Sequence, residues 1–142
     1  MGWALRENQS TFSGVNVFQP GRHEGAGMQF VRFKRWLDEM HMNKSLKAIY
    51  YEEVRRHLGT DAAQTYGGFW SHVVAWCQEN GVPYLGVPVQ TIKKFATGKG
   101  NADKQAVIDA VASRWHVTES SDEADAIALL YYALETYGQE TR

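Results

Sequence analysis

The chain has little cysteine, little proline and no long apolar run. Its one cysteine, Cys77, leaves no partner for an internal disulfide and fits a reducing compartment. It lies in the apolar run Val73-Val74-Ala75-Trp76-Cys77, which reads as a buried thiol rather than a nucleophile. No stretch reaches the roughly 18 apolar residues of a membrane span. The start, Met1-Gly2-Trp3-Ala4-Leu5-Arg6, has no signal-peptide pattern, and Arg6 stands where a myristoylation site requires Ser or Thr. A cytoplasmic location with no membrane contact is the expectation. Three prolines and no low-complexity linker point to one domain over residues 1–142, without internal repeats.

Charge of one sign is also missing. The net charge of −1 excludes the global basic field of an obligate nucleic-acid binder, so any such contact must be local. The candidate clusters are Arg32/Lys34/Arg35, Arg55/Arg56/His57 and Lys93/Lys94/Lys99/Lys104. The five histidines are scattered, with no Cys/His spacing for zinc, and no Ser-His-Asp or Cys-His arrangement is recognisable. Gly98-Lys99-Gly100 is no Walker A loop, which needs Gly-Lys-Ser/Thr after four spacer residues.

What is present is ordinary globular composition with generous aromatics, and a mixture of both periodicities. Residues 2–7 and 11–18 alternate as two strands around Glu7-Asn8-Gln9-Ser10, an antiparallel hairpin with a somewhat long turn. A helix over residues 26–41 places Phe30, Phe33, Leu37 and Met40 on one face. Residues 46–52 read as a buried central strand that ends in acid. A second helix runs from Asp61 as N-cap to the Asn80-Gly81 stop, and Gly67-Gly68 inside it costs about 1 kcal/mol per glycine unless close packing compensates. A strand over 83–87, a helix over 88–96, a helix of 102–115 capped by Asn101 and a last helix from Ser120 or Ser121 to Tyr137 complete the chain. A hairpin feeding alternating strands and helices predicts an α/β fold, a mixed sheet with helices on its faces.

Three acids stand out by position. Glu52 lies where an apolar strand ends, with Glu53 beside it on the opposite face. Asp122 and Asp125 sit three apart at the start of the last helix and project from one side. Such carboxylates could converge on hard divalent cations, Mg²⁺ or Mn²⁺, and clamp the attacking and leaving oxygens of a phosphodiester between two ions roughly 4 Å apart. Ser-Ser-Asp-Glu-Ala-Asp is equally a good helix start, since acids there gain about 0.3–1 kcal/mol from the helix dipole. Thr97-Gly-Lys-Gly-Asn-Ala-Asp-Lys104 could hold a phosphate at a helix end or be a solvated turn.

Taken together the motifs resemble a known family. Thr91-Ile-Lys-Lys-Phe-Ala-Thr-Gly-Lys-Gly-Asn-Ala-Asp-Lys104, the Asp122-Glu-Ala-Asp-Ala126 helix start and the strand Tyr51-Glu52-Glu53-Val54 follow the order and spacing of phage-type RuvC-like Holliday junction resolvases, of the RNase H-like superfamily. Arg55-Arg-His-Leu-Gly-Thr-Asp-Ala-Ala63 and Tyr66-Gly-Gly68 are similar to phage members. The resemblance implies an RNase H-like fold and metal-dependent hydrolysis of phosphodiesters in branched DNA such as four-way junctions. It implies a homodimer and two Mg²⁺ or Mn²⁺ ions in an intact site. By the same resemblance Glu52, Asp122 and Asp125 are metal ligands and Lys104 stands near the scissile phosphate. Lys93 and Lys94 are implied DNA-backbone contacts, and Arg55, Arg56 and Lys99 are the further nucleic-acid candidates.

The chain departs from the family pattern at its beginning. Members open with a strand ending in Asp-x-Gly before a Gly-Trp-Ala strand, and here Gly2-Trp3-Ala4 follows Met1 directly. The expectation is a chain without the first strand and its aspartate, weakly active or inactive as a nuclease. The alternative function is a non-catalytic nucleic-acid-binding or interaction module on the same fold. A relative acting on RNA or RNA hybrids is a third class, between which fold alone does not choose.

Overall fold

The computed structural model describes residues 1–138. Its elements are β1 (Gly2–Glu7), β2 (Ser10–Val15), α1 (Met28–Lys44), β3 (Ile49–Glu53), α2 (Thr60–Asn80), β4 (Tyr84–Pro88), α3 (Val89–Thr97), α4 (Lys104–Arg114) and α5 (Ser121–Tyr137). The class is the expected α/β. The strands expected to share one sheet are hydrogen-bonded as two pairs among the described residues, β1 with β2 and β3 with β4.

Contacts group the chain into two compact units. The first holds Met1–Asn16, Tyr50–Glu53 and the chain from Gly86. Its core is one cluster of Val87, Ile92, Ala96, Ala102, Val107, Val111, Ala124, Ile127, Ala128 and Leu129, all buried. Small alanines on α5 let α3 and α4 approach it, and α5 packs against both strands of the hairpin. The hairpin is tighter than its sequence suggests. Glu7 pairs with Ser10, leaving a two-residue turn in which Asn8 takes φ 56, a conformation asparagine tolerates better than most residues. Strand β2 ends at Val15 rather than residue 18, and Phe18 is instead a buried member of the second unit.

Helix α4 begins later than expected. Asp103, not Asn101, is its N-cap, and its carboxylate accepts from the Ala106 N–H at 2.8 Å. At the helix's other end Arg114 donates to the Phe95 carbonyl at 2.6 Å, neutralising the last turn of α3. Its guanidinium also lies 4.3 Å from the ring centroid of Trp115, the C-cap residue of α4.

The second unit holds Val17–Ile49 and Val54–Leu85. Helices α1 and α2 pack through Phe18, Phe33 and Phe69, whose rings meet edge-on or tilted. The cost of glycine within α2 is explained at Gly68, where any Cβ would overlap the Phe30 ring; Gly67 has open space around it. The N-cap of α2 is Gly59 rather than Asp61, and the helix stops at Gly81 with φ 66 as expected. Cys77 is fully buried, and burial raises its thiol to about 11, consistent with an inert core group. His72 is likewise satisfied, through its Nδ1 and the Gly68 carbonyl at 2.7 Å. Among the described residues no helix is long and apolar enough to cross a membrane.

Candidate functional site

The candidate site lies wholly in the first unit, and it follows from how β3 and α5 bury their apolar residues. Successive side chains of β3 alternate between faces. Tyr51 takes the side where Gly86 leaves room for its ring. Tyr50 takes the other, packing against the core and stacking on Tyr137 of α5 with ring centroids 5.7 Å apart. Glu52 shares the Tyr50 face, so strand alternation alone carries it toward α5. Strand β3 runs one residue past Glu52, to Glu53, and is half-buried rather than a buried central strand.

On α5 the buried stripe of Ala124, Ile127, Ala128, Leu129 and Ala133 sets the orientation of the first turn. Asp125 is then half-buried at the margin of the stripe and Asp122 lies one turn earlier in the exposed rim. Glu52 feels the charges of both aspartates, so the three carboxylates are electrostatically coupled. Burial, then repulsion from Asp125, pushes the Glu52 carboxyl above the ordinary range, with Lys93 pulling the other way. Asp125 is raised to about 6, chiefly by burial, against the attraction of Lys93 and Lys104. Two half-buried acids whose ionisation is penalised in this way form a site that favours a counter-charge.

The two lysines come from different elements. Lys93 is half-buried on α3, one residue from the buried Ile92, and interacts with both Glu52 and Asp125. Lys104 opens α4 directly after the Asp103 cap and interacts with Asp125. The other candidates stand apart from this cluster in their environment. Lys94 and Lys99 are exposed at the C-terminal end of α3 and in the loop that follows it. The backbone of that loop is occupied internally, with the Lys99 N–H donating to Thr97 Oγ1 at 3.1 Å. Arg55 and Arg56 are exposed in the segment after β3, which belongs to the second unit.

All three acids offer hard oxygen donors, the type that Mg²⁺ or Mn²⁺ prefers. Two of them half-buried, Asp122 exposed, and Glu52 and Asp125 raised in part by their neighbours' charges, they fit a divalent cation by chemistry. The set is nevertheless open, since among the described residues no three His, Cys, Asp or Glu side chains already stand in position to hold one ion together.

One residue of the site was not picked out in the sequence, although its signal was there. Ser120-x-x-Glu123 has the spacing of a helix capping box. Ser120 does cap α5, its Oγ accepting from the Glu123 N–H at 3.2 Å. The Glu123 carboxylate, between Asp122 and Asp125 in sequence, turns instead to two hydroxyls from outside the helix. It accepts from Thr118 at 2.6 Å and from Ser13 of β2 at 3.2 Å.

Neither a protein-family model nor a curated protein sequence matches the chain. Solved structures do. T. thermophilus RuvC in complex with a Holliday junction substrate superposes with a TM-score of 0.71 at 22% identity, covering 92% of this chain and 84% of that one. A second T. thermophilus RuvC structure gives a TM-score of 0.68 at 21% identity, covering 93% and 79%. At such identity the likeness shows the fold, which is the RuvC-type, RNase H-like α/β fold.

Proposed function

We propose that this chain is a metal-dependent, structure-specific endodeoxyribonuclease of RuvC-like type that hydrolyses phosphodiesters in branched DNA such as four-way junctions. The observation that supports the reading is the electrostatic coupling of Glu52 and Asp125 with each other, with Asp122 and with Lys93, and of Asp125 with Lys104. It occurs on a fold shared with a protein whose structure holds a Holliday junction substrate. In this reading residues 1–142 act as one nuclease domain in the cytoplasm, as a homodimer, in phage recombination or genome processing.

Glu52, Asp122 and Asp125 would hold Mg²⁺ or Mn²⁺, two ions in a complete site. Bound there, the metal supplies a Lewis acid for the scissile phosphate and lowers the pKa of the attacking water. The protein's part is to keep those oxygens half-dry and pre-oriented, so that little reorganisation remains when the phosphate arrives. Lys104 would face the scissile phosphate. Lys93, between Glu52 and Asp125, limits the repulsion of the carboxylates before metal arrives and can contact the DNA backbone afterwards. Lys94, Lys99, Arg55 and Arg56 would add backbone contacts, sequence-independent and salt-sensitive.

The openness of the carboxylate set favours a second reading on the same fold. It predicts weak metal binding and slow cleavage, the limit of which is a non-catalytic DNA-binding module. One experiment separates the two: a four-way junction is incubated with the protein in Mn²⁺ or Mg²⁺, and binding is followed in parallel by gel shift. Cleavage lost in Glu52→Gln with binding kept supports the nuclease. Binding that ignores metal, without cleavage at any metal concentration, supports the module. Neither binding nor cleavage of junction DNA refutes both.

A further inference from the structure

We infer that Glu123 is a positioning residue, the centre of a hydroxyl latch that sets where Asp122 and Asp125 point. The inference deepens the carboxylate-site reading above and rests on it. In an ordinary capping box the acidic residue reaches back to the N–H of its own N-cap residue. Here the Ser120 N–H donates instead to Thr118 Oγ1 at 3.1 Å, and the Thr118 hydroxyl donates in turn to Glu123 Oε1 at 2.6 Å. One hydroxyl has been inserted into the box. That insertion leaves Oε2 of Glu123 to accept from Ser13, on β2, at 3.2 Å.

The consequence is mechanical. The first turn of α5 is tied by one carboxylate to the loop before the helix and to the hairpin, at a residue flanked on both sides by the proposed metal ligands. Thr118 is the buried polar residue of the described chain, 8% exposed, so its hydroxyl is kept from water and committed to this network. The hairpin presses on the same turn independently. Gly2 of β1 lies against the main-chain carbonyl of Asp122 so closely that no Cβ would fit. A helix end is usually the part of a helix that frays most freely. Here it is held by the latch on one side and by β1 on another, as a site that must keep two carboxylates in register requires.

The latch is tested first without altering the charge of the site. Ser13→Ala/Thr118→Val removes both donor hydroxyls while leaving the Glu123 side chain in place and the buried volume nearly unchanged. Two readouts are taken: Mn²⁺ binding to the protein alone, and amide hydrogen exchange of residues 121–126 without metal. The expected result is exchange accelerated in that turn and not in α2, with Mn²⁺ affinity lowered roughly tenfold, as for outer partners of metal ligands. Glu123→Asp, too short to reach both hydroxyls, should behave similarly, and Glu123→Gln, which still reaches them, should recover part of the loss. Unchanged exchange in the double variant overturns the latch. Unchanged Mn²⁺ affinity, where Asp125→Asn does lower it, overturns its role in the site. If the wild-type protein binds no Mn²⁺, the metal reading fails separately and the exchange result still decides the latch. Should Thr118→Val fail to fold, Ser13→Ala alone must speed the same amides, and unaltered exchange there has the same overturning force.

Discussion

Gly2 of β1 lies against the main-chain carbonyl of Asp122, in a gap that a Cβ would close. The first turn of the last helix therefore takes its place from the first strand, 120 positions away in sequence. The residues concerned are the proposed carboxylate ligands, so a packing constraint on a glycine becomes a constraint on chemistry.

Gly2→Ala tests that constraint. The added methyl meets backbone rather than the tip of a flexible side chain, so β1 or α5 must shift. Overpacking of this kind costs about 1–3 kcal/mol, and urea unfolding should show a lowered midpoint with little change in slope. A midpoint equal to wild type would mean that the hairpin does not bear on α5.

Asp125 predicts a pH dependence of stability. Its carboxyl is raised from an ordinary 3.8 to about 6, so between those values the folded chain binds the proton more tightly than the unfolded chain. Stability from this group is thus fully present at low pH and falls as pH rises from 3.8 to about 6. Asp125→Asn should be more stable than wild type at pH 7 and show no such advantage at pH 3.5, measured by urea unfolding without divalent metal. An advantage confined to low pH would contradict the placement of Asp125.

Lys93 opposes the raised carboxyls of both Glu52 and Asp125. Removing its charge in Lys93→Met should move both titrations further up, observed by carboxyl-carbon NMR. If either moves down or stays, Lys93 does not stand between them.

The second unit offers a test independent of the site. The Trp76 side chain, 1% exposed, donates from Nε1 to Asp38 Oδ1 at 2.7 Å. Asp38→Ala strands that donor and should cost about 1–3 kcal/mol in urea unfolding. Asp38→Asn keeps an acceptor oxygen and should lose less.

Much of this was legible along the chain because the determining signals are local. The strand over residues 2–7, the stop at Gly81, and the Ser120-to-Tyr137 helix all emerged near their predicted bounds, since side-chain periodicity and capping act within a few residues. The same locality limited the reading. Asn101 and Asp103 are both acceptable caps, and the structure uses the second, whose carboxylate accepts from the Ala106 N–H. Asn8 turns the hairpin in two residues where the flanking polar stretch suggested four, because the register is fixed by cross-strand pairing.

By itself the sequence determined the α/β class, the acids and lysines worth considering, and the inert burial of Cys77. Composition and periodicity suffice for those, since each depends on which residues are apolar and how they repeat. Only the tertiary structure showed that Glu52 and Asp125 are electrostatically coupled to Asp122 and Lys93, and Asp125 also to Lys104. It alone turned Glu123 from an ordinary capping residue into a tie between α5 and β2. Electrostatic coupling and hydrogen bonding depend on separation in space, which is settled by how the core of α5 packs and not by spacing along the chain.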